Sequence, residues 1–513
     1  MKGHELFART LRDLGVFGIF GNPGTTEIPL LQSVDRYYLT LHDSISVSMA
    51  DGYSLFKLEP SAVNLHTMPG VGNSMAFIHT ARMNRSPVVV TSGQQDTRHA
   101  VHQPLLSGDL VGLVGNSVKW AYEVKNPSDI PISLKRAVET ALTPPMGPVF
   151  VSFPMDYMDA GAEYPGTSYV PRSYEAVDIE ATKTIAERFD RAENPALVFG
   201  YEVDAFGAHA EANLAAQACG CPVFIEPLTH RAAFGTRSEQ YAGDLTAAST
   251  LMEMQLSQND LALFVGGGTT LYPYSPTPLL SGKQAIFVGF DVGHGVGDSF
   301  VMNPKSFLRE FAKLVTKKRG FRRKPDMPLA GRIARARTRM GADFVLAEAK
   351  RRFEGHAVVD ESISYSPRLR EIFGYEPNNY FFAKTGALGW GLGAAMGLSL
   401  HGRKVLLVVG DGGLMYTVQG LWTMKKYALP VKVLVMNNGG YNILKSYSKS
   451  YHPAMESAPF FQLDLDVAQV VKGFGVEAET ADKDLKMLDW LKEGEGPRVL
   501  VVNMDRTVER LFL

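Results

Sequence analysis

Residues 405–444 read VLLVVGDGGLMYTVQGLWTMKKYALPVKVLVMNNGGYNIL. An aliphatic run from Val405 ends in Gly410-Asp411-Gly412; after 24 further residues a second such run, begun at Val431, ends in Asn437-Asn438. Short apolar runs separated by a helical stretch predict parallel strands buried on both faces. The carboxyl ends of parallel strands share one sheet edge, where ligands bind, so a carboxylate and an amide oxygen converge there. Glycines 412, 413, 439 and 440 let backbone approach a ligand closely, and the helix starts behind them favour an anionic phosphate. Hard oxygen donors without thiolates or paired histidines suit Mg²⁺, completed by phosphate oxygens and water. A lone GDG reads equally well as an ordinary strand-end turn. The two motifs at this spacing, each closing an apolar strand, are far more specific.

The same rhythm runs through the rest of the chain. FGIFG (17–21), YYLTL (37–41), SAVNL (61–65), PVVVTSG (87–93) and PVFVSFP (148–154) alternate with helical segments such as Ser44–Leu58 and Gly72–Met83. ALVFG, PVFIEP, LALFVGGG and QAIFVGF form a second set, and AVVDES, YFFAKT and RVLVVNMD join the opening stretch in a third. Alternation of this kind predicts an α/β protein of three doubly wound parallel-sheet domains, over 1–165, 175–320 and 340–513. The basic stretch 317–337 between the last two reads as a solvated linker leading into a helix rather than a phosphate patch.

The bulk properties narrow the partners. With 513 residues, 20% charged and a net charge of −1, no global field draws the chain to nucleic acid or an anionic membrane. Small molecules and copies of itself are the expected partners. The two cysteines, Cys219 and Cys221, are too close for an easy disulfide and read as structural thiols of a reducing compartment. The N-terminus reads as an amphipathic helix, not a leader, and Gly386–Leu400 is too short and glycine-rich to span a bilayer. The expected location is cytoplasmic.

GDG followed by NN at this spacing resembles the metal–diphosphate motif of thiamine-diphosphate-dependent enzymes. GNPGTTE (21–27), MADGY (49–53), NLHTMPGVGN (64–73), SPVVVTSGQQ (86–95) and VKWAYE (118–123) resemble the pyrimidine-binding domain of benzoylformate decarboxylases. The resemblance continues through EPLTHRAAFGTR (226–237) and AKTGALGWGLGAAMG (383–397) to the C-terminus. It implies pyrimidine-binding, central and diphosphate-binding domains in that order, and decarboxylation of a 2-oxo acid with thiamine diphosphate and Mg²⁺. It also implies Asp411, the Asn438 side chain and the Gly440 carbonyl as metal ligands. Gly412, Gly413, Tyr441 and Ser364 would contact cofactor, Gly386 would hold its amino group, and Leu388 would support its bent form. Family members join the two cofactor-binding domains across subunits, so a homodimer or homotetramer is implied.

In the family a glutamate ahead of the ADGY-like motif activates the cofactor. Here the position holds Asp43, one methylene and roughly 1.5 Å shorter. It acts directly or through a water, or it merely caps the helix starting at Ser44. By the same resemblance His66 transfers protons, Thr25 binds the substrate carboxylate, and Tyr272 replaces a second histidine. Phe382, Ile443, Leu444 and Tyr447 line the acyl pocket, with Ile443 narrowing it against a large aryl group. A carboligase of the acetolactate-synthase kind is the alternative, since His42-Asp43 resembles the His-Glu pair of those enzymes. A weakly active cofactor-binding homologue is the other. VGGGTT lacks the spacing of a dinucleotide fingerprint.

Overall fold

The computed structural model describes residues 1–168, 174–274, 278–293, 295–323 and 327–512. The chain forms two compact units, one of residues 1–170, 332–372 and 383–513, the other of 171–331 and 373–382. The basic stretch 317–337 is linker followed by the helix Met327–Arg337, and its residues 324–326 lie outside the described residues.

Two parallel sheets build the first unit. In one, the strands run in the order Tyr37–Leu39, Ile19–Gly21, Ser61–Leu65, Val88–Gln94, Val149–Pro154, Ala121–Glu123. In the other, Ala357–Glu361, Val405–Gly410, Val431–Asn437, Arg498–Asn503 and Glu477–Ala481 lie side by side. The strand at Ala121–Glu123 is one that the sequence reading passed over. Its residues are half-buried at the sheet edge, so they lack the apolar run that marks a central strand. The second unit holds a third parallel sheet, ordered Asp298–Val301, Gln284–Gly289, Leu261–Val265, Pro195–Phe199, Val223–Ile225, Tyr241–Asp244.

The glycines of 391–397 serve helix packing. Trp390–Ser399 is a wholly buried helix laid against the helix Asp43–Lys57. A Cβ on Gly397 would stand 1.9 Å from the Met49 carbonyl oxygen, and one on Gly52 would stand 2.2 Å from that of Ala394. Only glycine allows so close a crossing. Asp51, fully buried beside it, accepts from Trp390 Nε1 at 2.7 Å, Asn84 Nδ2 at 2.9 Å and Ser86 Oγ. Burial pushes its carboxyl up to about 6 against the pull of those donors. Among the described residues no helix is long and apolar enough to cross a membrane.

Candidate functional site

The 405–444 stretch folds as its pattern predicts. Val405–Gly410 and Val431–Asn437 pair in parallel, with Val409 opposite Val435, so Asp411 and Asn438 emerge at one edge. Asp411 opens a short helix and accepts the Gly440 N–H at 2.9 Å. Burial raises its carboxyl above the ordinary range, and backbone N–H groups only partly offset this. Asn438 donates through Nδ2 to the Tyr365 hydroxyl at 3.2 Å, leaving Oδ1 buried and without a hydrogen-bond partner. A desolvated carboxylate beside an unpaired amide oxygen fits one divalent cation, which would satisfy both. Among the described residues no cluster of three His, Cys, Asp or Glu offers an alternative metal site. Gly440 packs so tightly that a Cβ would stand 2.2 Å from the Phe461 carbonyl oxygen, and the Tyr441 ring lies against Gly412.

Loop 386–389 stands beside this edge. Gly386 and Gly389 take left-handed φ values of 67° and 90°, and Leu388 is half-buried. The Thr417 hydroxyl holds the Gly389 carbonyl at 2.7 Å. Glu361, wholly desolvated at the end of its strand, accepts the N–H groups of Gly389 and Gly391. That burial pushes its carboxyl up to about 7.

A second constellation forms on the first sheet. Strands Ile19–Gly21 and Ser61–Leu65 are neighbours, with Gly21 opposite Asn64, so the turn 22–27 meets His66. His66 Nδ1 lies 2.7 Å from Glu27 Oε2, and the Thr26 hydroxyl donates to Glu27 Oε1 at 2.8 Å. The N–H groups of Gly24 and Gly93 also donate to Glu27, at 2.9 and 3.0 Å. A Cβ on Gly24 would overlap the His66 ring at 2.2 Å, so glycine there makes room for the imidazole.

Asp43 is the first residue of its helix, but it is not the cap. His42, extended at φ −152° and ψ 138°, accepts the Ser44 N–H and holds that place. Asp43 is 7% exposed; its Oδ2 meets Asn73 Nδ2 at 3.5 Å and its Oδ1 has no partner. The capping explanation is thereby removed, and a buried oxygen is left for a ligand.

The other anticipated residues are placed less uniformly. Thr25 is exposed at the tip of the turn beside Glu27, and Ser364 is half-buried in a single turn next to Tyr365. Ile443 and Leu444 lie on the helix after Gly440, with Leu444 42% exposed. Tyr447, on the same helix, packs against Phe512 and Tyr451 at ring distances of 5.6 and 5.0 Å. Tyr272, 54% exposed, and Phe382, buried, belong to the second unit. Glu27 and Glu361 are the residues that sequence reasoning missed. The signal for Glu27 was present, a carboxylate in a glycine turn at the end of the strand beside that of His66.

Comparison with known proteins finds matches along most of the chain. Residues 1–111 match the N-terminal TPP-binding domain of thiamine pyrophosphate enzymes, 182–292 the central domain and 367–503 the C-terminal TPP-binding domain. A benzoylformate decarboxylase of Pseudomonas aeruginosa is 31% identical, covering 93% of each chain. The acetolactate synthase isozyme 3 large subunit of Escherichia coli is 24% identical over 93% of this chain and 89% of its own. The crystal structure of a benzoylformate decarboxylase from Polynucleobacter necessarius superposes with a TM-score of 0.91 at 28% identity, covering all of both chains. By these matches the chain belongs to the thiamine pyrophosphate enzyme family.

Proposed function

We propose that this chain decarboxylates a 2-oxo acid with thiamine diphosphate and Mg²⁺. The observation that carries the reading is the unpaired Asn438 Oδ1 beside the desolvated Asp411. Those two groups and the Gly440 carbonyl would hold Mg²⁺ against the diphosphate. Gly412, Gly413, Tyr441 and Ser364 would contact the cofactor around it. Gly386 would hold the amino group, with Leu388 beneath the bend.

Thiamine diphosphate, once bound, supplies a nucleophilic carbon and a sink for the electron pair released with CO₂. The protein's part is placement and proton handling. Asp43, with one oxygen unpaired, would hold a proton at the aminopyrimidine ring, directly or through a water. His66 would move protons at the reacting carbonyl, its ring fixed by Glu27. Thr25 would hydrogen-bond the substrate carboxylate. Ile443 and Leu444 would shape the acyl pocket. Tyr447 contributes less directly, since its ring supports the C-terminal segment. With an isoleucine at 443, a smaller 2-oxo acid suits the pocket better than an aryl one.

Decarboxylation is the first reading because the chain is 31% identical to a benzoylformate decarboxylase and 24% identical to an acetolactate synthase large subunit. The domains would run over 1–165, 175–320 and 340–513, and two or four copies would assemble to join the cofactor-binding edges. Buried free thiols at Cys219 and Cys221 suit a reducing, cytoplasmic setting. The deciding experiment is a panel of 2-oxo acids with thiamine diphosphate and Mg²⁺, measuring CO₂, aldehyde and ligation products. Aldehyde in step with CO₂ supports the reading. Ligation product alone, or no turnover of any acid, overturns it.

A further inference from the structure

Glu361 sits where three separate stretches meet. It ends the strand Ala357–Glu361 and stands opposite Val409 in the next strand, two residues before Asp411. Its Oε1 accepts the N–H of Gly389, and its Oε2 accepts that of Gly391. These are free donors at the start of the helix Trp390–Ser399, where no side chain of the helix itself serves as cap. The carboxylate reaches across from a different strand to supply that cap, at the helix end whose partial positive charge favours an anion.

The packing leaves that carboxylate one position. A Cβ on Gly391 would stand 2.7 Å from Oε2, and a Cβ on Gly413 would stand 2.8 Å from Oε1. One side chain is therefore wedged between Gly391, in the first turn of the buried helix, and Gly413, in the first turn of the short helix that Asp411 opens. Glu361 is 2% exposed, and nothing places it where it could touch substrate.

We infer that Glu361 is a positioning residue, setting loop 386–389 against the turn 411–413 so that the part of the site holding the cofactor's bend keeps register with the part holding its diphosphate. The inference rests on the proposed cofactor site, and it adds a residue that no motif reading singled out. Loss of the Gly389 N–H contact leaves the loop held through the Thr417 hydroxyl on the Gly389 carbonyl, so that Gly389, and with it Leu388, can shift relative to Gly412 and Gly413. A misplacement on the order of 1 Å in such a constellation costs about a hundredfold in rate.

Two variants test it. Glu361→Gln keeps the shape but puts an NH₂ donor where one carboxylate oxygen accepts, so one of the two N–H groups faces a donor. Glu361→Asp keeps the charge and withdraws the carboxylate by roughly 1.5 Å. Cofactor affinity is measured by quenching of tryptophan emission with thiamine diphosphate and Mg²⁺. Placement is measured by deuterium exchange at the thiamine C2 carbon with cofactor saturating and no substrate present. For Glu361→Gln we expect affinity about tenfold weaker and exchange about a hundredfold slower even at saturation, with Glu361→Asp between it and wild type. Wild-type exchange in a folded Glu361→Gln at saturating cofactor overturns the inference. Should that variant not fold, Glu361→Asp decides: slowed exchange supports the assignment and unchanged exchange overturns it. A wild-type chain that binds no thiamine diphosphate sinks the functional reading, and this one with it.

Discussion

His66 Nδ1 lies 2.7 Å from Oε2 of Glu27, a carboxylate with no exposed surface. With the carboxylate accepting, Nδ1 carries the proton and the ring presents Nε2 as its free basic nitrogen. Glu27 is held in turn by two backbone N–H groups and the Thr26 hydroxyl, so the imidazole has a rigid anchor. Replacing His66 with alanine should lower kcat by about 10²- to 10⁴-fold, the range of a lost general acid–base. Glu27→Gln should retain the ring but lose its orientation, lowering kcat by about a hundredfold with little change in cofactor affinity. Steady-state kinetics beside a cofactor titration checks both. A Glu27→Gln enzyme with wild-type kcat would show that the anchor is incidental.

Asp43 offers a second test because its geometry is unusual for its position. Oδ1 is buried without a partner, and Gly70 stands so near that a Cβ there would be 2.8 Å from it. The pocket thus has a short carboxylate and little spare room. Asp43→Asn should slow C2 deuterium exchange to the rate of free cofactor. Asp43→Glu should raise it about tenfold if the extra methylene recovers the lost reach, consistent with the steep dependence of rate on placement. An Asp43→Asn chain exchanging at the wild-type rate would remove Asp43 from the mechanism.

How much of this was readable from residue order depends on where each interaction lives. Asp411 and Asn438 were legible because each closes a strand of its own, and parallel strands bring their ends together whatever surrounds them. His66 was legible only through resemblance, since a histidine at a strand end has no pattern of its own. Glu27 and Glu361 were not recognised because their roles arise from contacts 39 and 28 residues away, to His66 and Gly389. Asp43 shows a local rule overridden by its neighbour. Aspartate is a favoured helix cap, yet His42 took the extended backbone and the Ser44 N–H, moving Asp43 into the helix. The glycines of 391–397, which residue order marks only as part of a family resemblance, are explained by a helix crossing visible only in three dimensions.

The metal pair makes a prediction about ligand removal. Asp411 is desolvated with no cationic partner among the interactions that shift it, so it should gain most from a bound divalent ion. Chelation of Mg²⁺ should release the cofactor, and Asp411→Ala or Asn438→Ala should weaken thiamine diphosphate binding by about 10- to 100-fold. Asn438→Asp should bind better than Asn438→Ala, because it restores an oxygen at the orphaned position. Titration calorimetry with and without Mg²⁺ measures each. Equal affinity in the presence of chelator would place the diphosphate elsewhere.

Glu202 carries a prediction about stability. It is buried in the second unit, where it accepts the N–H groups of Phe290 and Asp291, both at 3.0 Å, and burial pushes its carboxyl up to about 8. The folded chain therefore binds a proton that the unfolded chain has released once the pH passes the ordinary glutamate range. Stability from this group is fully present below that range and is lost as pH rises through about 8. Asp51, pushed up to about 6, acts in the same direction at lower pH. The melting temperature should accordingly fall between about pH 5 and about pH 9, and Glu202→Gln, which is neutral throughout, should flatten the upper part of that fall. Calorimetric scans of both proteins across the range make the comparison, and parallel curves would mean that Glu202 is ionised in the native state.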